Sequence, residues 1–283
     1  MTSPLLDVSE LSVTYPGRGF RARPQEVLHA VSLHVREGET LGLVGESGSG
    51  KTTIGRAVLG LVKPSGGRIL LRGQDITHVP AKVRRRLARD IQVVFQDPYT
   101  SLNPSLTIGD ILSEPLVVQG ASAPDARARV RELLDHVGLP ADASARLPRE
   151  FSGGQRQRVA IARALAPKPR LIVCDEPVSA LDLSTQTRVL DLFIDIQRRT
   201  GVAYLFVSHD LAVIRHVSHR VTVLYRGDVV ETGAADRITT SPEHAYTRGL
   251  LLAAPVADPA RQRERREERR RLAALELSVK KVS

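Results

Sequence analysis

The sequence predicts an α/β protein in which a parallel-sheet core carries an antiparallel β-subdomain and an inserted α-helical subdomain. Three features of the chain lead there. An apolar run, Thr40–Val44, passes into Gly45-Glu46-Ser47-Gly48-Ser49-Gly50-Lys51-Thr52-Thr53 and then into a helical pattern over 54–61, which reads as strand, loop, helix. Two later apolar runs, 171–174 and 203–207, read as buried parallel strands whose carboxyl ends release polar residues. Before the glycine-rich loop the strand signals alternate apolar and polar, whereas from 97 to 148 amphipathic helices replace strands.

The elements follow in order. Residues 8–15 and 27–35 read as strands of a half-buried antiparallel sheet, with a Pro/Gly-rich loop over 16–24 between them. Tyr15 ends the first strand, where its ring either stacks on adenine or is an ordinary strand tyrosine. In the glycine-rich loop, side chains at Gly45, Gly48 and Gly50 would keep backbone N–H groups from wrapping a phosphate chain, and the following helix turns its positive N-terminal end toward it. Lys51 adds a full charge near the β- and γ-phosphates, and the Thr52 hydroxyl is placed for Mg²⁺. The backbone amides of Glu46, Ser47, Ser49 and Thr53 complete the cradle.

Beyond a break at 63–67, residues 68–71 start another strand, followed by a turn at 72–75, a basic helix over 81–89 and a strand over 91–95. Gln96 stands at that strand's carboxyl end, either reaching Mg²⁺ or the attacking water or opening a loop as a polar residue. Residues 98–104 read as loop, and Val130, Leu133, Leu134 and Val137 form one helix face between Pro124 and Gly138. This insertion is a candidate docking surface.

Phe151-Ser152-Gly153-Gly154-Gln155 then opens a helix with Ser152 as its N-cap, a second anion-facing element. The strand at 171–174 delivers Asp175, suited to hold Mg²⁺, and Glu176, suited to polarise a water for attack on the γ-phosphorus. Cys174, the single cysteine, reads as a small core residue. Asp182 follows, with Ser184 expected to cap the next helix. His209 leaves the strand at 203–207 on the same sheet edge as Asp175 and Glu176, placed for the γ-phosphate or the water. A hairpin over 221–231 closes the core.

The chain has 283 residues, of which 42% are apolar, an ordinary fraction for a globular protein able to bury a core. No apolar run approaches bilayer length, and the first residues lack a basic segment followed by an apolar one, so a cytoplasmic protein is expected. The net charge of +10 points to an acidic partner or surface, yet aromatics are only 4% and tryptophan is absent, which argues against base-stacking nucleic-acid recognition. Much of the basic excess lies in an Arg/Glu run over 261–271, read as a solvated helix or tail.

The ordered set GESGSGKTT, glutamine after VVF, FSGGQ, LIVCDE, SALD and histidine after a strand resembles the nucleotide-binding subunits of ABC transporters. The likeness runs over about residues 5–255 and implies a P-loop NTPase (RecA-like) core. VVFQDPYTSLNPSLTIGDILSEPL, EFSGGQRQRVAIARAL and LIVCDEPVSALDLSTQ are closer still to the ATPases of oligopeptide/dipeptide importers. Where that branch often reads His-Pro-Tyr, this chain has His244-Ala245-Tyr246. The cysteine cluster that some relatives use for an iron–sulfur centre is not in the sequence.

The resemblance implies an ATP- and Mg²⁺-dependent ATPase on the cytoplasmic face of the inner membrane, bound peripherally. It implies a second ATPase subunit, paralogue or self, paired head to tail. Ser152, Gly153, Gly154 and Gln155 would then serve the partner's nucleotide, and Asp182 would cross the interface. Glu176 would be the general base or water positioner, His209 the support of the γ-phosphate, and Thr52, Asp175 and Gln96 the Mg²⁺ set. Permease subunits would dock their coupling helix near 96–115, and an extracytoplasmic solute-binding protein would act indirectly; no nucleic acid is expected. The implied division is a β-subdomain with the phosphate-loop part of the core (1–96), a helical subdomain (97–158), the rest of the core (159–238) and a C-terminal extension (239–283). Nickel or another small solute is the alternative cargo. A soluble ABC ATPase acting on nucleic acid or ribosomes is the alternative of another class, and a non-hydrolysing scaffold is disfavoured because every catalytic position is filled.

Overall fold

The computed structural model describes residues 3–17 and 23–253. The Arg/Glu run over 261–271, and residues 18–22 of the predicted loop, lie outside the described residues. In chain order the elements are β1 (Leu6–Tyr15), β2 (Gln25–Val35), β3 (Thr40–Val44), α1 (Lys51–Val58), β4 (Gly66–Leu71), β5 (Gln74–Asp75), α2 (Ala81–Leu87), β6 (Ile91–Val94), α3 (Pro98–Ser101), α4 (Ile108–Val118) and α5 (Ala123–His136). After two short 3₁₀ turns come α6 (Gly153–Leu165), β7 (Leu171–Asp175), α7 (Leu183–Thr200), β8 (Ala203–Ser208), α8 (Leu211–Val217), β9 (Arg220–Tyr225), β10 (Asp228–Ala234), α9 (Ala235–Thr240) and α10 (Ala245–Ala253).

The strands form two sheets, one ordered β2-β1-β4-β5 and the other β10-β9-β3-β8-β7-β6. The first is antiparallel throughout. In the second, β9, β3, β8, β7 and β6 run parallel, and the β9–β10 hairpin makes an antiparallel edge. The continuous apolar runs of β3 and β8 are explained by burial on both faces, because every residue in both strands is buried.

Side-chain alternation divides the core in two. Leu171, Val173, Leu205 and Val207 pack with Leu6, Leu11 and Ile69 of the antiparallel sheet and Ile54 of α1. Their neighbours Ile172, Cys174, Tyr204 and Phe206 pack on the other face against helix residues such as Ile161, Val189 and Ile214. Phe193 of α7 anchors that face, meeting the rings of Tyr204 and Phe206 edge-on at centroid distances of 5.4 Å. Each such buried side chain stabilises the fold by about 1.5–3 kcal/mol relative to exposure. The parallel sheet is thus a central layer, which holds its strand ends in fixed register.

The helix read from Val130, Leu133, Leu134 and Val137 is α5, with Ser122 as its N-cap and those residues buried. Two expectations are corrected. Residues 98–104 are not all loop: Asp97 accepts a hydrogen bond from the Tyr99 N–H at 2.8 Å and Pro98 sits in the first turn, so α3 forms. The cap of α7 is Asp182 rather than Ser184. Asp182 has the extended backbone that a cap needs and accepts from the Thr185 N–H at 3.0 Å, while the Ser184 hydroxyl donates to the same carboxylate at 2.7 Å.

Candidate nucleotide-binding site

Strand register brings the predicted residues to one edge. Val44 pairs with Ser208, Asp175 with Val207, and Val94 with Cys174, so β3, β8, β7 and β6 end side by side. The glycine-rich loop follows β3, His209 follows β8, Asp175 ends β7 with Glu176 behind it, and Gln96 lies just past β6. Ligands of open α/β sheets bind at this carboxyl edge.

The loop is tied to the core sheet. The Ser49 carbonyl accepts from the Gly227 N–H at 3.0 Å, tying the loop to the β9–β10 turn. A Cβ at Gly45 would fall 2.1 Å from the Leu224 carbonyl oxygen, so only glycine lets the loop lie this close to β9. Gly48 has φ +78°, a left-handed conformation that side chains disfavour. The buried Lys51 ammonium donates to the carbonyls of Gly45 and Glu46 at 2.7 Å each. Burial lowers its pKa, against the opposing fields of Glu176, Asp175 and Glu46. Lys51 is therefore folded onto its own loop.

At the start of α1 the Thr52 hydroxyl donates to Asp175 Oδ1 at 2.9 Å. Burial raises the Asp175 carboxyl above its ordinary range, with the Thr52 bond and the charges of Arg56 and Lys51 pulling the other way. Glu176 carries φ +49°, a conformation costly for a non-glycine residue. Its N–H bonds to the Val207 carbonyl at 3.0 Å, and its Oε2 lies 3.0 Å from His209 Nδ1. Carboxylate and imidazole thus form a pair across adjacent strand ends, an arrangement able to accept and hold a proton.

Three predicted residues stand apart from this pair. Gln96 is exposed, and no described side chain bonds to it. Tyr15 is partly buried against the core and places its hydroxyl 3.5 Å from Thr53 Oγ1, which ties the end of β1 to α1. Asp182 is exposed, its carboxyl held well below the usual range by hydrogen bonds from Ser184 and Thr185. The Ser152 element forms a capping box, with Ser152 accepting from the Gln155 N–H and Gln155 Oε1 accepting from the Ser152 N–H at 3.0 Å. Among the described residues no hydrogen bond or ion pair joins Ser152–Gln155 to the loop at 45–53.

Sequence reading misses two contacts. Arg156 lies over the Tyr99 ring, 4.1 Å from its centroid, linking α6 to α3. The Tyr246 hydroxyl accepts from the Glu46 N–H of the loop at 2.9 Å. The oddity of His244-Ala245-Tyr246 marks that second residue without saying what it touches.

Residues 28–179 match the model of the ABC transporter family (ABC_tran). The chain belongs to this family. It is 51% identical over 268 residues to the glutathione import ATP-binding protein GsiA of Escherichia coli strain K12, an alignment covering 93% of this chain. The same protein of Shigella boydii matches to the same extent. The chain spans 43% of the length of these relatives. Among solved structures, CbiO1 of Clostridium perfringens, part of the ABC transporter complex CbiONQ, superposes with a TM-score of 0.77 at 27% identity, covering 89% of this chain and 96% of that one. The ATP-binding cassette MJ0796, solved as a dimer bound to ADP and Pi, gives a TM-score of 0.71 at 30% identity, covering 81% of this chain and 98% of that one. The fold is that of an ABC ATPase cassette.

Proposed function

We propose that this chain is the ATP-hydrolysing subunit of an ABC importer for peptides. The observation that carries the reading is the Glu176–His209 pair, 3.0 Å apart, on the sheet edge that also bears Lys51 and the Thr52–Asp175 bond. Lys51 exchanges the Gly45 and Glu46 carbonyls for phosphate oxygens. Glu176 takes a proton from the water that attacks the γ-phosphorus, releasing ADP and phosphate, and His209 holds the carboxylate in place and meets the γ-phosphate through its other nitrogen. The hydroxyl of Thr52 and the carboxylate of Asp175, 2.9 Å apart, are hard oxygen donors that fit Mg²⁺, and the Gln96 amide, just past the end of β6, would be a third. Bound there, that ion would supply positive charge against the phosphate oxygens.

Ser152 caps α6 through the Gln155 N–H, and the N-terminus of such a helix suits a phosphate, which supports a head-to-tail pair in which it meets the nucleotide of a second ATPase subunit. A groove of about 320 Å³ lined by Leu61, Leu87, Ile91 and Phe95 supports permease docking, since Leu61 is 63% exposed and Phe95 37%. Its lining ends at Phe95, the residue before Gln96. No described helix is long and apolar enough to cross a membrane; the proposed subunit would dock peripherally on its permease at the cytoplasmic face. The GsiA relatives are named for import of glutathione, a tripeptide, which supports peptide cargo. The four-part division at 96, 158 and 238 remains our assignment of the subdomains.

The test is to co-express the chain with candidate peptide permeases and follow membrane association, Mg-ATP hydrolysis and peptide uptake. Permease-dependent association with ATP-driven uptake is expected. Salt-sensitive co-purification with nucleic acid and no permease dependence would overturn the reading.

A further inference from the structure

Tyr246 enters the site from the far end of the chain. Its hydroxyl accepts from the Glu46 N–H at 2.9 Å, and that N–H belongs to the peptide unit whose carbonyl, on Gly45, accepts from Lys51 at 2.7 Å. Two side chains thus grip the two ends of one peptide plane. The grips differ in what nucleotide binding demands of them: Lys51 must leave the Gly45 carbonyl to reach the phosphates, while Tyr246 need not move.

The tyrosine is itself supported. Its ring lies 4.2 Å from that of Tyr225, which ends β9 next to the Leu224 carbonyl that Gly45 abuts. The buried Glu231 of β10 accepts from the N–H groups of Glu243 and His244 at 2.8 and 3.2 Å, fixing the entry to α10. The Tyr246 N–H in turn bonds to His244 Nδ1 at 3.2 Å. A strut fixed to the core sheet at β9 and β10 therefore ends on the loop.

We propose that Tyr246 is a positioning residue for the phosphate loop, holding the Gly45–Glu46 peptide in its binding orientation when Lys51 lets go. The inference rests on the ATP-binding reading above. A peptide beside glycine rotates easily once its carbonyl partner is gone, and a loop that is correctly oriented for only part of the time binds with an affinity reduced by that fraction. Glu176 and His209 make no described bond to Tyr246, so the chemical step is untouched.

The experiment uses Tyr246→Phe, which keeps the ring stack and removes the hydroxyl. Equilibrium binding of a fluorescent ATP analogue, steady-state hydrolysis and thermal unfolding are measured on the full chain. Loss of one hydrogen bond predicts that Kd and KM rise about 3- to 10-fold, with kcat and the unfolding midpoint unchanged. An unchanged Kd would overturn the inference, and so would a lowered midpoint that accounts for the loss of binding. Failure of the wild-type chain to bind the analogue would overturn the ATP reading itself.

Discussion

Nδ1 of His209 lies 3.0 Å from Oε2 of Glu176, although the two residues leave different strands and are 33 positions apart. No described residue bonds to Nε2, so the ring is oriented by the carboxylate and keeps one nitrogen for a ligand. Glu176→Gln preserves a partner for Nδ1 but cannot take a proton. Nucleotide affinity is expected to hold while hydrolysis falls about 10²- to 10⁴-fold, the range for a lost general base. Phosphate release assayed beside nucleotide titration checks this, and full turnover would remove Glu176 from its role.

Glycine-to-alanine changes at Gly45 and Gly201 separate two kinds of cost. At Gly45 the new Cβ meets the Leu224 backbone oxygen at 2.1 Å, and a carbonyl in a strand cannot step aside. The loop must move instead, with about 1–3 kcal/mol lost, the usual scale for overpacking, and nucleotide binding lost with it. Gly201 ends α7 at φ +70° with nothing near its Cβ position. Its replacement costs about 1–2 kcal/mol from backbone strain and leaves nucleotide affinity alone. Urea unfolding and nucleotide titration on both variants distinguish them.

The proposed head-to-tail pairing is open to a charge test. Gly153 has room for a Cβ, its nearest neighbours being Leu181 Cδ2 at 3.6 Å and the Tyr99 hydroxyl at 3.7 Å. An acid in the first turn of a helix is favourable, so Gly153→Asp keeps α6 intact. It repels a phosphate arriving from outside. The variant is expected to bind ATP at its own loop yet lose hydrolysis and ATP-dependent dimerisation, read by light scattering in a Glu176→Gln background. A stable ATP-bound dimer of the double variant would count against the head-to-tail arrangement.

Much of the candidate site is legible in the sequence because its parts are local. Lys51, Thr52, Asp175, Glu176 and His209 each lie within a few residues of an apolar run, and a short run bounded by turn signals fits an inner parallel strand, whose carboxyl end faces ligand. Strand order is not legible, since β3 lies between β8 and β9, which come much later in the chain. Ser184 and Asp182 are both capping residue types two positions apart, and only backbone dihedrals choose between them. The α3 signal was present in Asp97-Pro98 but is masked by its short length and the prolines around it. Tyr246 reaches Glu46 across 200 positions, and no periodicity carries such a contact.

Cys174 offers a reporter of the central sheet. It is fully buried in β7, between β6 and β8 and facing the helices, and burial, with the nearby Asp175 charge, pushes its thiol well above the usual range. The thiolate that reacts with alkylating agents is therefore both inaccessible and suppressed in the native state. Because it is the single cysteine of the chain, labelling counts one event. Native protein is expected to resist a thiol reagent at neutral pH and to react fully in denaturant. Nucleotide that binds only the folded state slows labelling by mass action, about 100-fold at a hundred times Kd when labelling requires global unfolding. Rapid labelling of the folded chain would show that β7 opens locally, and with it the strand that delivers Asp175 and Glu176.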